Sequence, residues 1–124
     1  KFLSGLLLLC GVLVAACQAH AAPPSVILKL ASGYHGFAPH TIRAEVRVFP
    51  HQDNRIVCVA YTSELIDSSD CRSLDGNRAA ILHIFTFPNL PQGIYTIAAG
   101  VERATRMLWT PPQTVTVLEG NPPN

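Results

Sequence analysis

Histidine and cysteine have the widest chemical reach in this 124-residue chain, and their spacing decides which chemistry is open to them. His35, His40 and His51 fall among turn residues, and His83 lies in the most apolar stretch. Imidazoles hold copper or zinc when they converge. Apart, the loop histidines read as exposed side chains and His83 as a hydrogen-bonded core or interface residue. Cys58 and Cys71 are too far apart for a C-x-x-C redox centre, and no second pair completes a zinc site. Asp67 and Asp70 read as a solvated loop rather than as a general acid and base. The sequence holds no G-x-S-x-G, no H-E-x-x-H and no phosphate-cradling glycine loop. The expectation is a non-enzyme without catalytic residues or cofactor.

What surrounds these residues begins with a leader. Phe2 to Ala16 is apolar apart from Ser4, follows Lys1 and ends in small residues, the layout of a secretory signal. It is shorter than the roughly 20 apolar residues that span a bilayer as a helix. Cleavage after the A-x-A site Ala19-His20-Ala21 makes 1–21 the signal peptide, 22–120 the domain and 121–124 a C-terminal tail. A second cut competes. Val14-Ala15-Ala16-Cys17 resembles the lipobox of bacterial lipoproteins, which implies a leader of 1–16 and a domain tethered to the membrane through an acylated Cys17. A third cut, after Ala19, would put His20 first, offering its α-amine and a ring nitrogen to one metal. That arrangement resembles copper-binding periplasmic sandwich proteins and copper monooxygenases, in which a second histidine completes the site. Here His40 or His83 would supply it, with Met107 as a soft extra ligand.

The nine basic residues of the chain include Lys1, so the domain behind the leader carries eight against eight acidic ones. A neutral domain without aromatic-basic interleaving is not a nucleic-acid binder, and it has no electrostatic attraction to an acidic membrane; a lipid on Cys17 would be its membrane contact. Cys10 and Cys17 belong to the leader region, leaving Cys58 and Cys71 as an even pair in a compartment that permits disulfides. Their bond would contribute about 3 kcal/mol.

From Pro24 onward the apolar pattern has period two, broken by turn residues. Val26 to Ala31 reads as a strand. In Thr41 to Val48, Ile42, Ala44, Val46 and Val48 fall on one face and Arg43, Glu45 and Arg47 on the other, a half-buried antiparallel strand. Arg55 to Thr62 is apolar enough to be central, and Ser63 to Asp70 is a polar connection leading to a short strand at Cys71. Ala79 to Phe87 is the most hydrophobic strand, with Ile81, His83, Phe85 and Phe87 sharing a face, ended by Pro88. Gly93 to Val101 is another strand, and Arg106 to Trp109 with Gln113 to Leu118 makes the last, interrupted by Pro111-Pro112. About seven short strands separated by turn signals indicate one antiparallel two-sheet sandwich.

Phe87-Pro-Asn-Leu-Pro-Gln-Gly-Ile-Tyr95-Thr-Ile97 resembles the F-x-x-L-P-x-G-x-Y-x-V corner of bacterial immunoglobulin-like, fibronectin type III-like and carboxypeptidase-regulatory-like domains, through Leu90, Gly93 and Tyr95. The resemblance implies an immunoglobulin-like architecture in which the leucine plugs the sandwich end, the glycine turns and the tyrosine starts the next strand. It implies no catalytic residue, since such modules serve as spacers, adhesion units and binding scaffolds alike. The expected function is a binding or structural module of the bacterial envelope, periplasmic or secreted. An envelope protein or cell-surface ligand would be its partner. Tyr34, His35 and Trp109, with the loops Tyr34 to His40 and Ser63 to Asp70, form the expected contact surface. Two alternatives stand beside it: a periplasmic copper protein, and an assembly factor that adds a partner's strand to a sheet edge.

Overall fold

The computed structural model describes residues 24–120. In chain order the strands are β1 (Val26–Leu30), β2 (His35–Phe37), β3 (His40–Val48), β4 (Asn54–Thr62), β5 (Asp67–Ser73), β6 (Leu82–Leu90), β7 (Gly93–Arg103), β8 (Arg106–Trp109) and β9 (Gln113–Leu118), with a 3-10 turn at Gly76–Arg78. They form two sheets, β1-β3-β6 and β2-β9-β7-β4-β5, with β8 beside the second half of β7. The alternation in β3 works as its sequence dictates: Ile42, Ala44, Val46 and Val48 are buried, while Arg43 and Arg47 face water. Ala44 pairs with Leu30 of β1 and with Phe85 of β6.

The core lies between the sheets, where Ile42, Val46 and Phe85 meet Val57, Val59, Ile97, Val101 and Val115, all fully buried. Each such side chain contributes about 1.5 to 3 kcal/mol by leaving water. Tyr61 packs edge-on against Phe87 at 4.7 Å between ring centroids and lies 5.9 Å from Tyr95. Both open sides of the sandwich are closed by a side chain reaching an edge carbonyl. Gln113 of β9 donates to Leu28 O of β1 at 2.9 Å. On the other side, Arg72 of β5 donates to Ile84 O of β6 at 2.5 Å, its guanidinium 4.1 Å above the Phe85 ring. At one end the buried Asn54 is satisfied twice, donating to Phe49 O and accepting from Arg103 Nε, as a polar group without water must be.

Nine strands replace the expected seven or so among the described residues, and the sandwich is not wholly antiparallel. His35–Phe37 pairs in parallel with Thr116–Leu118, a pairing that three residues around a glycine do not announce. The polar segment from Asp67 is already strand rather than connection, because β4 supplies its backbone partners from Thr62 onward. The β6 strand begins at Leu82, so Ile81 is exposed, and it runs through Pro88. Pro88 is tolerated because the β3–β6 register shifts there, with Asn89 at φ 58°, on a strand at the edge of its sheet. The last strand is broken at Pro111-Pro112 as expected, and both halves pair with β7. At the break the Thr110 hydroxyl accepts from Ala99 N–H at 3.0 Å while Thr110 N–H donates to Ala99 O at 2.8 Å, so Ala99 stays satisfied beside the prolines.

Candidate contact surface

On the larger sheet, alternation sends Tyr95, Ile97, Ala99 and Val101 of β7 inward and Ile94, Thr96, Ala98, Gly100 and Glu102 outward. The same parity carries the outer face across the neighbouring strands through rows of paired residues. Thr62, Thr96 and Thr114 form one row. Cys71, Cys58, Gly100 and Trp109 form another.

That second row explains two sequence choices. Cys58 and Cys71 are direct cross-strand partners and are disulfide-bonded, with Cα atoms 4.1 Å apart, just under the roughly 4.4 Å at which most bridged pairs begin. In the same row, two strands over from Cys58, Trp109 of β8 lies opposite Gly100 and is 52% exposed. A Cβ at Gly100 would fall 2.7 Å from Trp109 Cε3 and 2.9 Å from the Met107 methyl carbon. Glycine is therefore the residue over which the indole can lie across the sheet, leaving part of the ring open to water.

At the opposite end of the face, Phe37 and Leu118 are paired across β2 and β9, and Ile94 is Leu118's diagonal neighbour on β7. Ile94 also lines a cleft of about 210 Å3 between the β4–β5 loop and the β6–β7 turn, bounded by Leu65, Ile66, Pro91 and Tyr95. Exposure is 60% for Phe37, 47% for Leu118, 64% for Ile94 and 86% for Leu65, so these four make an apolar strip across the sheet end. The floor of the cleft is fixed by Tyr95, whose hydroxyl donates to Pro91 O at 2.7 Å. Burial, with a smaller contribution from Tyr61, pushes the Tyr95 phenol above its usual range. Leu90 is buried just before the turn, and Tyr95 is the third residue of β7.

The expected site residues divide between the two ends. Tyr34 and His35 are exposed at the strip end, where His35 pairs with Thr116. The Ser63–Ile66 loop lies there too, whereas Asp67 and Asp70 have become strand. His40 packs its ring on Gly36, and its Nε2 is buried without a hydrogen-bond partner among the described residues. His83 Nε2 lies 2.7 Å from Ala80 O. His83 pairs with Val46 and His40 with Leu90, so the two histidines are about 20 Å apart along β3 at 3.4 Å per residue. Among the described residues no three His, Cys, Asp or Glu side chains converge as metal ligands would. The His51 Nδ1 accepts from Asp53 N–H at 3.1 Å and lies 3.8 Å from the Asp53 carboxylate. Cys17 and His20 lie outside the described residues, as do all three cleavage sites. Sequence reading missed Ile94, Phe37, Leu118 and Leu65. The signal for Ile94 was present, since it is apolar yet out of phase with Tyr95, Ile97 and Ala99. Compared with known proteins, the chain matches no protein-family model and no curated protein.

Proposed function

We propose that the chain is a non-enzymatic binding module of the bacterial cell envelope, exported behind its leader, which meets an envelope protein or cell-surface ligand through the outer face of the larger sheet. The observation that carries this reading is the strip of exposed Ile94, Phe37 and Leu118 at one end of that face, with Trp109 half exposed at the other end; an exposed apolar strip is characteristic of interaction sites. An immunoglobulin-like topology is part of the proposal. It is supported by the strand orders β1-β3-β6 and β2-β9-β7-β4-β5. It is also supported by the bond from Tyr95, near the start of β7, back to Pro91, which resembles the tyrosine corner of such domains.

The test is site-specific photo-crosslinking in cells expressing the whole chain, with the probe at Ile94 or Trp109 and, for contrast, at Arg43 on the other sheet. Adducts are expected from Ile94 and Trp109. Adducts confined to Arg43, or none from any position, would refute the reading. The mass of the mature N-terminus settles the form of export, Ala22 meaning release and an acylated Cys17 meaning a membrane tether.

A second reading, strand addition by an assembly factor, is favoured by one feature. All seven residues of β5 are exposed and form an edge of the larger sheet, a place where an added strand finds unpaired backbone groups. A probe at Ser69 that captures a partner when Ile94 does not would select this reading.

A further inference from the structure

We infer that the occupant of the larger sheet's outer face is a second copy of this chain, the two faces stacking about a two-fold axis. The inference rests on the reading of that face as the contact surface, and it is drawn from charge, shape and size.

Charge comes first. Identical faces stacked on a two-fold axis place like groups near one another, so a face that self-associates must carry few charges or segregate them. The smaller sheet's outer face holds Lys29, Arg43, Glu45 and Arg47. On the larger sheet, beyond Arg55 in the bulge that opens β4, the charged side chains on the outward-facing strand positions are Glu102 and Asp67. The domain's eight basic and eight acidic residues also balance, and a net charge near zero leaves no long-range repulsion between copies.

The order of side chains along the face also suits a two-fold. Trp109 and Met107 stand at one end, Ile94, Leu118 and Phe37 at the other, and Ala60, Ala98 and Thr96 lie low between them. An axis in the interface that crosses the strands between Thr96 and Ala98 keeps each strand over its own mate and exchanges the ends. Trp109 then falls on Thr116 and Ile94 of the other copy, and Met107 falls on Leu118. Glu102 lands beyond the other copy's Ile94, and Asp67 lands near Ser69, so neither carboxylate meets its own counterpart. Sheets stacked in this way sit about 10 Å apart at about −30°.

Size agrees. Five strands at about 4.8 Å spacing and nine or so residues at about 3.4 Å make a face on the order of 700 Å2, close to the roughly 800 Å2 that each partner gives to a standard interface.

The test is sedimentation velocity of the processed, disulfide-bonded protein purified from the periplasm, from about 1 to about 100 µM, a range that brackets a dimer of micromolar affinity. A monomer–dimer equilibrium is expected. Ile94→Asp should weaken it at least about tenfold, with the fold verified by circular dichroism and an intact disulfide. Lys29→Glu on the other sheet should leave it unchanged. A photo-probe at Thr96 should give an adduct of twice the chain's mass, which reports on the interface without disturbing it. A monomer at about 100 µM, or a dimer weakened by Lys29→Glu and indifferent to Ile94→Asp, overturns the inference. If the monomer still yields Ile94 adducts to another protein, the contact surface stands with a different occupant. If it yields none, both readings fall together.

Discussion

Along β3 the outward positions are Arg43, Glu45 and Arg47, with Lys29 opposite Glu45, whereas along β7 they are Ile94, Thr96, Ala98, Gly100 and Glu102. Both strands obey the same alternation, and both send β-branched or aromatic residues into one shared core. What differs is the solvent-side half of the pattern. Long charged side chains on the smaller sheet keep their heads in water and cover its aliphatic floor, including Ile27 beside Arg47. On the larger sheet short neutral side chains leave the backbone layer close to the surface, and large apolar groups occur only at the two ends. Period two therefore fixes which side is core, and the outward residues separately fix whether the other side suits water or a partner.

That contrast can be tested through stability, and the largest effect belongs to the larger sheet. Replacing both bridging residues, Cys58→Ala with Cys71→Ala, removes the covalent staple across β4 and β5 and should cost about 3 kcal/mol in urea unfolding. A loss below about 1 kcal/mol would mean that β5 is held by its backbone pairing and Arg72 alone. Next, Gly100→Ala pushes a methyl group into the indole and should cost about 1 to 3 kcal/mol as overpacking. It should also shift the emission of Trp109, the chain's single tryptophan, toward the value for free indole in water. An unchanged spectrum would remove Gly100 from the account of that ring.

Tyr95→Phe deletes the hydrogen bond to Pro91 and should cost about 1 kcal/mol near neutral pH. The pH dependence has a defined sign. Because burial raises the folded-state pKa of Tyr95, the unfolded chain releases this proton first, above about pH 10. Stability is thus full below that value and is lost as pH rises through the folded pKa. The Phe variant should lack this part of the alkaline loss, measured as the difference in melting temperature between pH 8 and pH 11, roughly the span that brackets tyrosine ionisation. The smallest effect belongs to the charged face, where Glu45→Ala should change stability by less than about 0.5 kcal/mol. A larger loss would show that the charges of the smaller sheet organise it rather than merely keep it wet.

Residues whose neighbours are dictated by alternation were legible in the sequence. The inward set of β3 needed only parity and the Cys58–Cys71 pair only an even count behind the expected leader, whereas the turn between Leu90 and Tyr95 was legible through its resemblance to the corner of immunoglobulin-like domains. What was not legible depends on strands meeting across the sequence. His35–Phe37 becomes a strand only because Thr116–Leu118 lies alongside it, and Asp67–Ser73 becomes one because β4 offers an edge. The contact strip is of that kind as well. Phe37, Leu118, Ile94 and Leu65 are scattered singly in the chain, and only the pairing of β2, β9 and β7 beside the β4–β5 loop gathers them.

The break at Pro111-Pro112 has a consequence for how far a sheet of this kind can grow. On the β2 side the free edge of the larger sheet is broken into three residues of β2, the start of β9 ahead of Thr116 and four residues of β8, with Pro111 and Pro112, which have no N–H to give, between β8 and β9. On the other side β5 offers seven residues without interruption. Addition of strands to this sheet is therefore one-sided. A second chain that docks on β5 through its own β5 leaves the joined larger sheet with no further uninterrupted edge, so growth of that sheet ends at two copies.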